Sequence, residues 1–238
     1  MRLDKFLCDM QLGTRNQVKE YIRKGTVSVN DMIIKKPDFK LDEKKDAVAY
    51  LGKLLVYQST YYYMLHKPAG VVTATSDNQD KTVMDLLTNA AGKDLFPVGR
   101  LDKDTEGLLL ITNDGELAHN LLSPRKHVAK TYYAECSGSI NEEKIKILET
   151  GVDIGDDALT LPAKAELLSQ TGSAYTIKLT ITEGRFHQVK RMIEAVGGCV
   201  TYLKRLSMGP LLLDEALPKG TYRPLTEQEI ADLTSYNN

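Results

Sequence analysis

The segment GRLDKDTEG, residues 99–107, combines closely spaced carboxylates with cations at the entrance to an apolar run. Its charged members are Arg100, Asp102, Lys103, Asp104 and Glu106. Glycine bounds the segment at both ends, and the apolar run LLLIT follows directly, which predicts a buried strand. Catalytic groups are often carried on loops that a rigid scaffold holds in place, so this segment is the first candidate for an active site.

Three kinds of chemistry fit the carboxylates of this segment. In the first, they are ordinary surface groups paired with Arg100 and Lys103. In the second, Asp102, Asp104 and Glu106 bind a divalent metal through the oxygen ligands that hard cations prefer. The interspersed cations and the lack of a fixed ligand spacing disfavour that site, and we predict no metal. In the third, a single aspartate is catalytic.

The composition is that of a globular protein, with 42% hydrophobic and 26% charged residues. These values exclude a disordered or low-complexity chain. No apolar run approaches the ~18 residues of a membrane span, and the first residues lack the apolar stretch of a secretory signal. The three cysteines are far apart, which predicts neither a disulfide framework nor a Cys-based zinc site. We therefore expect a cytoplasmic protein without membrane contact.

Beyond residue 60, predicted strands and helices are interleaved without the regular alternation of a doubly wound sheet. Strand-like runs occupy residues 61–65, 70–73, 108–112, 130–136 and 175–182. Helix-like runs occupy residues 83–88, 115–122, 142–150, 188–196 and 226–233. This order predicts an α+β domain built on a mixed, mostly antiparallel sheet.

The first residues predict a smaller α/β unit. Apolar residues recur at helical spacing up to Met10, Thr14 suits the N-cap of a second helix, and Gly25 ends that helix. The alternating Val27 and Val29 predict a strand. A short polar linker follows near residues 58–60, so we predict one domain over residues 1–58 and a second over residues 59–238.

Local charge distinguishes this small head from the rest of the chain. Residues 1–45 carry eleven Lys and Arg against seven Asp and Glu, whereas the whole chain has a net charge of −1. In the second predicted helix Arg15, Lys19 and Arg23 recur every four residues and form one basic stripe. A solvated helix face is the ordinary explanation of such a stripe, and a surface for RNA is the alternative. The candidate RNA contacts of the head are Arg2, Lys5, Arg15, Lys19, Arg23 and Lys24.

Several motifs occur in the order found in one known enzyme family. The sequence GRLD at 99–102, followed by Thr-x-Gly-Leu, resembles the Arg-Leu-Asp motif of pseudouridine synthases. The segments LHKPAGV at 65–71, KTY at 130–132, EGRFHQVKRM at 183–192 and LKR at 203–205 resemble its other motifs. The head resembles the S4 RNA-binding domain. The whole layout is most similar to the ribosomal small-subunit pseudouridine synthase A family.

The resemblance implies the pseudouridine synthase fold and the isomerisation of a uridine in ribosomal RNA. It implies a small-subunit (16S) target, with large-subunit (23S) rRNA as the alternative, and no cofactor, because no group enters or leaves. Asp102 is then the catalytic carboxylate, Tyr132 stacks on the uridine, and Lys190 keeps Asp102 ionised. We expect a monomer that binds structured rRNA, either free or in an assembling small subunit.

Further residues are expected to contact the RNA or the uracil. By the resemblance they are Lys67, Arg100, Arg185, Gln188, Arg191, Leu203 and Arg205. His187 is expected to shape its loop through hydrogen bonds and not to transfer protons. Two rival functions remain: a non-catalytic RNA-binding ribosome-assembly factor on the same fold, and a metal-dependent hydrolase that uses Asp102, Asp104 and Glu106.

Overall fold

The computed structural model describes residues 1–42, 45–55 and 59–236. The chain divides into a smaller unit, Met1–Tyr61 with Ala91–Lys93, and a larger unit that holds the remaining residues. The boundary predicted at residue 58 lies outside the described residues, so the division into residues 1–58 and 59–238 stays a prediction. None of the helices in the described part of the chain has both the length and the apolar character that crossing a membrane requires.

The smaller unit combines two helices with a short antiparallel sheet of order β2-β1-β3-β4. Its elements are α1 (Leu3–Asp9), α2 (Arg15–Arg23), β1 (Val27–Val29), β2 (Met32–Ile33), β3 (Val48–Tyr50) and β4 (Lys53–Leu55). The Thr14 hydroxyl accepts a hydrogen bond from the backbone of Gln17, whose side chain accepts one from the Thr14 N–H. This capping box begins α2 at the predicted residue. The core joins both helices to the sheet through Leu3, Phe6, Leu7, Val18, Ile22, Val27, Val29, Leu41 and Val48.

The larger unit is built on one mixed sheet of order β13-β5-β7-β11-β8-β10-β9, with β6 paired to β7 and β12 to β11. Its strands are β5 (Tyr62–Lys67), β6 (Phe96–Pro97), β7 (Glu106–Thr112), β8 (Lys130–Gly138), β9 (Lys164–Thr171), β10 (Ala174–Ile181), β11 (Gly198–Met208), β12 (Leu211–Leu212) and β13 (Tyr222–Pro224). Its helices are α3 (Gly115–Leu122), α4 (Glu142–Thr150), α5 (Gln188–Ala195) and α6 (Glu227–Ser235). The central pair β7–β11 is parallel and the other pairs are antiparallel. The predicted α+β class with a mixed, mostly antiparallel sheet is confirmed.

The buried strand that follows the acidic segment anchors the core of this unit. All seven residues of β7 are buried. The side chains of Leu108 and Leu110 pack in one apolar cluster with Met64 of β5 and Leu121 of α3. A strand enclosed in this way gives the preceding loop a fixed end, which is the setting expected for a catalytic segment.

The structure corrects several predicted elements. Residues 70–73 form no strand, because their only pairing is an isolated bridge from Val72 to Thr82. Residues 83–88 contain a single 3₁₀ turn, Met84–Leu86, in place of a helix. The strands β9 and β11 escaped prediction. β9 is largely exposed at the sheet edge, and β11 is rich in polar residues, so neither shows the apolar alternation that marks a strand in sequence.

Candidate active site

The acidic loop opens onto a cavity of about 520 Å³ in the larger unit. The loop at 99–105, the start of β8, the segment from 181 to the first turn of α5, and β11 provide its walls. The predicted site residues that line it are Arg100, Asp102, Tyr132, Arg185, Gln188, Lys190, Leu203 and Arg205. Segments far apart in the chain therefore bring the three residues expected to be catalytic to one cavity.

A buried lysine fixes the position of the acidic loop, residues 99–105. Lys67 is fully buried, and its Nζ donates hydrogen bonds to the backbone carbonyls of Thr105 (2.8 Å), Asp102 (3.0 Å), Pro68 (3.1 Å) and Lys103 (3.3 Å). Burial lowers the pKa of Lys67 to about 8. The predicted RNA contact by Lys67 is wrong, because its ammonium group has no access to solvent and binds the loop that carries Asp102.

The segment after β5 fixes the same loop through further backbone contacts. The Gly70 N–H donates to the Lys103 carbonyl at 2.7 Å, and the Thr73 hydroxyl donates to the Leu101 carbonyl at 2.7 Å. These bonds anchor the loop on both sides of Asp102. The KPAG motif therefore acts by positioning the acidic loop.

Gly107 lets the loop enter the centre of the sheet. Its φ is +106°, and a Cβ built on it would lie 2.2 Å from the carbonyl oxygen of Arg205 on β11. The parallel pair places Arg205 beside Gly107 and Lys204 beside Glu106. Only glycine allows the two backbones to approach this closely, which explains the Gly of the Thr-x-Gly-Leu motif.

Lys190, on the first turn of α5, holds both carboxylates of the loop. Its Nζ lies 3.3 Å from Asp102 Oδ2 and 2.6 and 2.8 Å from the two Asp104 oxygens. Partial burial opposes the charged lysine, but the hydrogen bond to Asp104 and the charge of Asp102 outweigh it and raise the pKa of Lys190. The bond to Lys190 also lowers the pKa of Asp104. The ammonium group and the Asp104 carboxylate are thus both favoured in their charged forms.

The two neighbouring tyrosines of β8 point to opposite faces of the sheet, as strand alternation predicts. Tyr132 is buried, with 8% of its surface exposed, and lines the cavity. Tyr133 lies on the other face, where its hydroxyl donates to Glu135 at 3.2 Å and its ring meets that of Tyr202 edge-on. Tyr132 is therefore the tyrosine of this pair whose ring can meet a base in the cavity.

Hydrogen bonds among its own side chains hold the loop before α5 together. Gln188 donates to Glu183 at 2.7 Å and accepts from the Arg185 N–H at 2.9 Å. The Arg185 guanidinium donates to Glu183 and to the carbonyls of Ala158 and Leu159. Gln188 is 3% exposed and its side-chain amide is bound within the loop, so its contact with RNA stays a prediction.

Arg191 is similarly held within the fold. It donates to Asp156 at 2.5 Å, to the Phe186 carbonyl at 3.1 Å and to the Ile154 carbonyl. The bond from Arg191 lowers the pKa of Asp156. Arg185 and Arg191 thus clamp the segment at 154–159, which leaves few of their donors for a phosphate.

The floor and rim of the cavity carry the remaining predicted residues. Leu203 and Arg205 of β11 are 5% and 1% exposed, and the Arg205 guanidinium donates to the Leu108 carbonyl at 2.8 Å. Lys130 also lines the cavity, and burial, with the charge of Arg205, lowers its pKa to about 8. Arg100 is exposed at the rim and has no hydrogen-bond or ion-pair partner within the described ranges. Arg100 is thus available to an incoming phosphate.

Comparison with known proteins agrees with this arrangement. A sequence profile of the family described as RNA pseudouridylate synthase matches residues 61–195, a range that includes Asp102, Tyr132 and Lys190. The chain belongs to this RNA pseudouridylate synthase family. It is therefore an RNA pseudouridine synthase, an isomerase. A second profile, that of the S4 domain, matches residues 1–48.

Relatives of this pseudouridine synthase match it over nearly its whole length. It is 48% identical to a Bacillus subtilis protein named Uncharacterized RNA pseudouridine synthase YtzG, over 97% of each chain. It is 41% identical to the Vibrio cholerae protein named Ribosomal small subunit pseudouridine synthase A, over 98% of this chain and 99% of the relative. A crystal structure described as pseudouridylate synthase shares 37% identity with a TM-score of 0.68, and covers 98% of this chain and 99% of that chain.

In this synthase, the three carboxylates of the alternative metal site all have side-chain partners in the protein. Asp102 and Asp104 share Lys190, whereas Glu106 accepts hydrogen bonds from Tyr202 and Lys219, each at 2.6 Å. Across the described ranges, no group of three or more His, Cys, Asp or Glu side chains is arranged to hold a metal ion.

The S4 domain of the synthase presents most of its predicted RNA contacts to solvent. Lys5, Arg15, Arg23 and Lys24 are exposed and Lys19 is half-buried. Arg2 is also exposed, but its guanidinium is already engaged, because it binds both carboxylate oxygens of the buried Asp4, at 3.0 and 2.8 Å. This bidentate pair lowers the pKa of Asp4 and ties Arg2 to the start of α1.

Sequence reasoning gave His187 no contact with Asp102, yet the structure places the two side chains together. The Nε2 of His187 lies 3.5 Å from Asp102 Oδ1, and the ring stacks on that of Phe186. His187 adopts a left-handed backbone with φ of +50° at the start of α5. The signal in the sequence was its place in the EGRFHQVKRM motif, three residues before Lys190, which predicts that both reach one site. The pairing of Asp104 with Lys190 was likewise missed.

Proposed function

We propose that this chain converts one uridine of small-subunit (16S) ribosomal RNA to pseudouridine, with Asp102 as the catalytic carboxylate. The observation that carries the proposal is the meeting of Asp102, Tyr132 and Lys190 at one cavity. The small-subunit target rests on the names of relatives that align over nearly the whole chain. We infer a monomeric, cytoplasmic enzyme that meets its RNA either free or in an assembling subunit.

The reaction needs one carboxylate beside the ribose. The N1–C1′ bond breaks, the uracil turns over, and a C5–C1′ bond forms while the C5 proton is lost and N1 gains a proton. Asp102 acts in its ionised form, either as a nucleophile at C1′ or as a base at C2′. With 27% of its side chain exposed at the cavity, its carboxylate can reach a bound nucleotide. No group is gained or lost overall, so the proposal invokes no cofactor.

Tyr132 receives the uracil in this proposal. The C1′ atom is out of reach in a stacked helix, so the nucleotide must be extruded, at a cost of a few kcal/mol. A buried aromatic face offsets part of that cost, because stacking on an aromatic ring stabilises a bound base by ~1–3 kcal/mol. Leu203, beside Tyr132 in the cavity wall, adds an apolar surface that keeps the detached uracil from water.

Lys190 orients Asp102 in this proposal. Its ammonium nitrogen lies 3.3 Å from Asp102 Oδ2, within the distance of an ion pair. The same ammonium group binds Asp104, which is 71% exposed and has no place in the cavity wall. Asp104 thus orients Lys190, and Asp102 faces the substrate.

The S4 domain and the rim of the cavity bring the RNA to the site. Arg15, Lys19 and Arg23 form the basic stripe of α2, which we assign to phosphate contacts. Arg100 lies at the cavity rim and is unpaired within the described residues. It either binds the phosphate of the extruded nucleotide or fills the space that the extruded base leaves in the RNA. These contacts position the RNA without selecting its sequence.

The experiment that tests the proposal maps pseudouridine by carbodiimide modification and primer extension. Full-length wild type, Asp102→Asn and the matched control Glu116→Gln, at an exposed position of α3, are incubated with separate 16S and 23S transcripts. We expect one new primer-extension stop on 16S RNA with wild type and Glu116→Gln, and none with Asp102→Asn. A stop only on 23S RNA identifies the large-subunit alternative. Equal patterns with wild type and without enzyme favour a binding-only assembly factor.

A chelator arm separates the metal-dependent hydrolase from the proposed isomerase. Activity of wild type is measured with and without a strong chelator of divalent ions, after the RNA has been folded. The proposed chemistry uses no metal at Asp102, so we expect pseudouridine to form at the same rate with and without the chelator. Loss of activity that added metal restores would contradict the assignment of Asp102.

A further inference from the structure

Phe186 stands exposed in the wall of the catalytic cavity. The residue is 67% exposed, whereas Tyr132 of the same cavity wall is buried. The Phe186 ring stacks on His187 with centroids 3.8 Å apart and planes 19° apart. One face is therefore covered by His187, and the exposed area lies on the opposite face and the ring edge.

The backbone that carries this ring is fixed. Arg191 donates to the Phe186 carbonyl at 3.1 Å, and the neighbouring Arg185 N–H donates to Gln188 at 2.9 Å. These bonds hold the backbone of Phe186 and of the residue before it. A rigid aromatic face is a favourable ligand surface, since little conformational entropy is lost when a partner binds.

Position separates Phe186 from an ordinary exposed apolar residue. Single exposed apolar side chains are common on protein surfaces and need no ligand to explain them. Leu212 on β12 is one, with 68% of its side chain exposed and no place in the cavity wall. Phe186 has the same exposure, but it lies in that wall and is oriented by a stacked neighbour that reaches the Asp102 carboxylate.

We propose that the free face of Phe186 stacks on an unpaired nucleobase adjacent to the target uridine. This inference rests on the proposed function, because it takes an RNA held at Asp102 as given. The His187 ring covers one face of Phe186, and its Nε2 lies 3.5 Å from the Asp102 carboxylate. The target uridine must touch Asp102 directly and so occupies the part of the cavity that Asp102 and Tyr132 line. The free face of Phe186 points away from His187 in the same cavity wall, where a neighbouring base of the strand would lie.

The chemistry of the surface selects a nucleobase over other partners. An aromatic face binds any base by stacking, and unpaired bases in RNA loops are commonly recognised in this way. The cations Lys190 and Arg100 line the same cavity and favour the polyanionic backbone of such a strand. Comparison of Phe186→Ala with Phe186→Trp distinguishes base stacking from a merely structural role of the ring.

The kinetic test compares Phe186→Ala, Phe186→Trp and the matched control Leu212→Ala on the rRNA transcript that wild type modifies. Stacking on a neighbouring base is equal in the ground and transition states, so its loss raises KM and spares kcat. We expect Phe186→Ala to raise KM about 5- to 150-fold, the range for one stacked base. Phe186→Trp and Leu212→Ala should stay within about twofold of wild type. An unchanged KM, or a loss confined to kcat, overturns the proposal.

A fluorescence test works without turnover, because the sequence contains no tryptophan. Phe186→Trp therefore introduces a single reporter at the proposed contact, and Leu212→Trp places one at an equally exposed control position. Both are combined with Asp102→Asn and titrated with a short single-stranded RNA. We expect the RNA to quench the emission of the Trp at 186 and not that at 212. Equal behaviour of the two reporters overturns the stacking assignment. Failure of wild type to modify either rRNA overturns the proposed function, and the quenching result still decides the role of Phe186.

Discussion

The Lys190 ammonium group lies 3.3 Å from a carboxylate oxygen of Asp102, although α5 and the acidic loop come from distant parts of the sequence. The same group lies 2.6 Å from Asp104, which is far more exposed than Asp102. One lysine thus serves two carboxylates of different exposure. This arrangement leaves the less exposed carboxylate facing the cavity and uses the other to fix the cation.

Replacing Lys190 by methionine should lower kcat about 10²-fold, the loss typical of a misplaced catalytic group. Without the cation, two nearby carboxylates repel each other and Asp102 loses its orientation. The measurement is single-turnover pseudouridine formation with saturating enzyme. Lys190→Arg retains the charge and should recover part of the rate. Equal rates for wild type and Lys190→Met would show that the pair has no catalytic role.

Replacing Tyr132 by leucine should reduce kcat/KM about 5- to 150-fold, because the variant loses the stacking of a base on an aromatic ring. Tyr132→Phe retains the ring and should retain most of the activity, unless the hydroxyl transfers a proton. Tyr133→Leu is the matched control on the opposite face of β8. Steady-state kinetics on one RNA transcript give all three values. Similar losses at Tyr132 and Tyr133 would indicate strand packing and not base contact.

Replacing Lys67 by methionine should lower the free energy of unfolding by at least about 2 kcal/mol, since buried carbonyls lose their donor. The acidic loop should also lose its fixed position, so activity should fall. Urea unfolding and turnover are measured on one preparation. Lys103→Met is the matched control, because among the described residues the Lys103 ammonium group pairs only with the exposed Asp80. This variant should change the free energy of unfolding by no more than about 0.5 kcal/mol. A stable, active Lys67→Met would refute the positioning role.

Replacing Arg15 and Arg23 together by glutamine should weaken RNA binding and its dependence on salt. Each phosphate contact contributes about 0.7–0.9 to the slope of log affinity against log salt concentration, so the slope should become shallower. Both residues are exposed on α2. The double variant Lys146→Gln and Lys164→Gln removes equal charge from exposed positions of α4 and β9. Binding is measured by filter retention at several salt concentrations. Identical slopes in the two variants would indicate that the basic stripe of α2 is a solvated helix face that does not contact RNA.

The ion pair between Glu229 and Arg223 should make stability depend on acid pH. Hydrogen bonding to Arg223 lowers the pKa of Glu229 to about 2, from an ordinary value of 4.5. A lowered carboxyl pKa stabilises the fold above the unfolded value, and the contribution is lost as pH falls through the folded value. Glu229→Gln should cost on the order of 2 kcal/mol at neutral pH, and the cost should shrink between about pH 5 and 2. Unfolding at several pH values tests this.

The control for that measurement is Glu227→Gln, on the exposed face of α6. Glu227 begins the same helix, so the variant removes an equal charge near the helix N-terminus. We expect Glu227→Gln to change the free energy of unfolding only slightly, and by nearly the same amount across the acid range. A constant difference for Glu229→Gln as well would show that the pair with Arg223 does not contribute to stability.

Local sequence determined the elements with strong periodicity or capping signals. The Thr14 cap of α2, the helices at Gly115–Leu122 and Glu142–Thr150, and the buried strand after the acidic loop follow from neighbouring residues alone. The α+β class follows from their order. The ordered motifs also identified the family. Side-chain interactions within a few residues, and the pattern of apolar positions, carry this information.

Apart from the pair of Lys190 with Asp102, which the family resemblance implied, the tertiary structure alone decided which charged residues meet. Sequence could not show that Lys67 lies buried beneath the acidic loop, that Gln188 closes its own loop, or that His187 reaches Asp102. Nor could it reveal β11, whose polar residues become a central strand only through pairing with β7 and β8. Burial and ion pairing depend on residues brought together from distant segments. The role of a lysine or an arginine is therefore fixed by its three-dimensional neighbours, which no local pattern records.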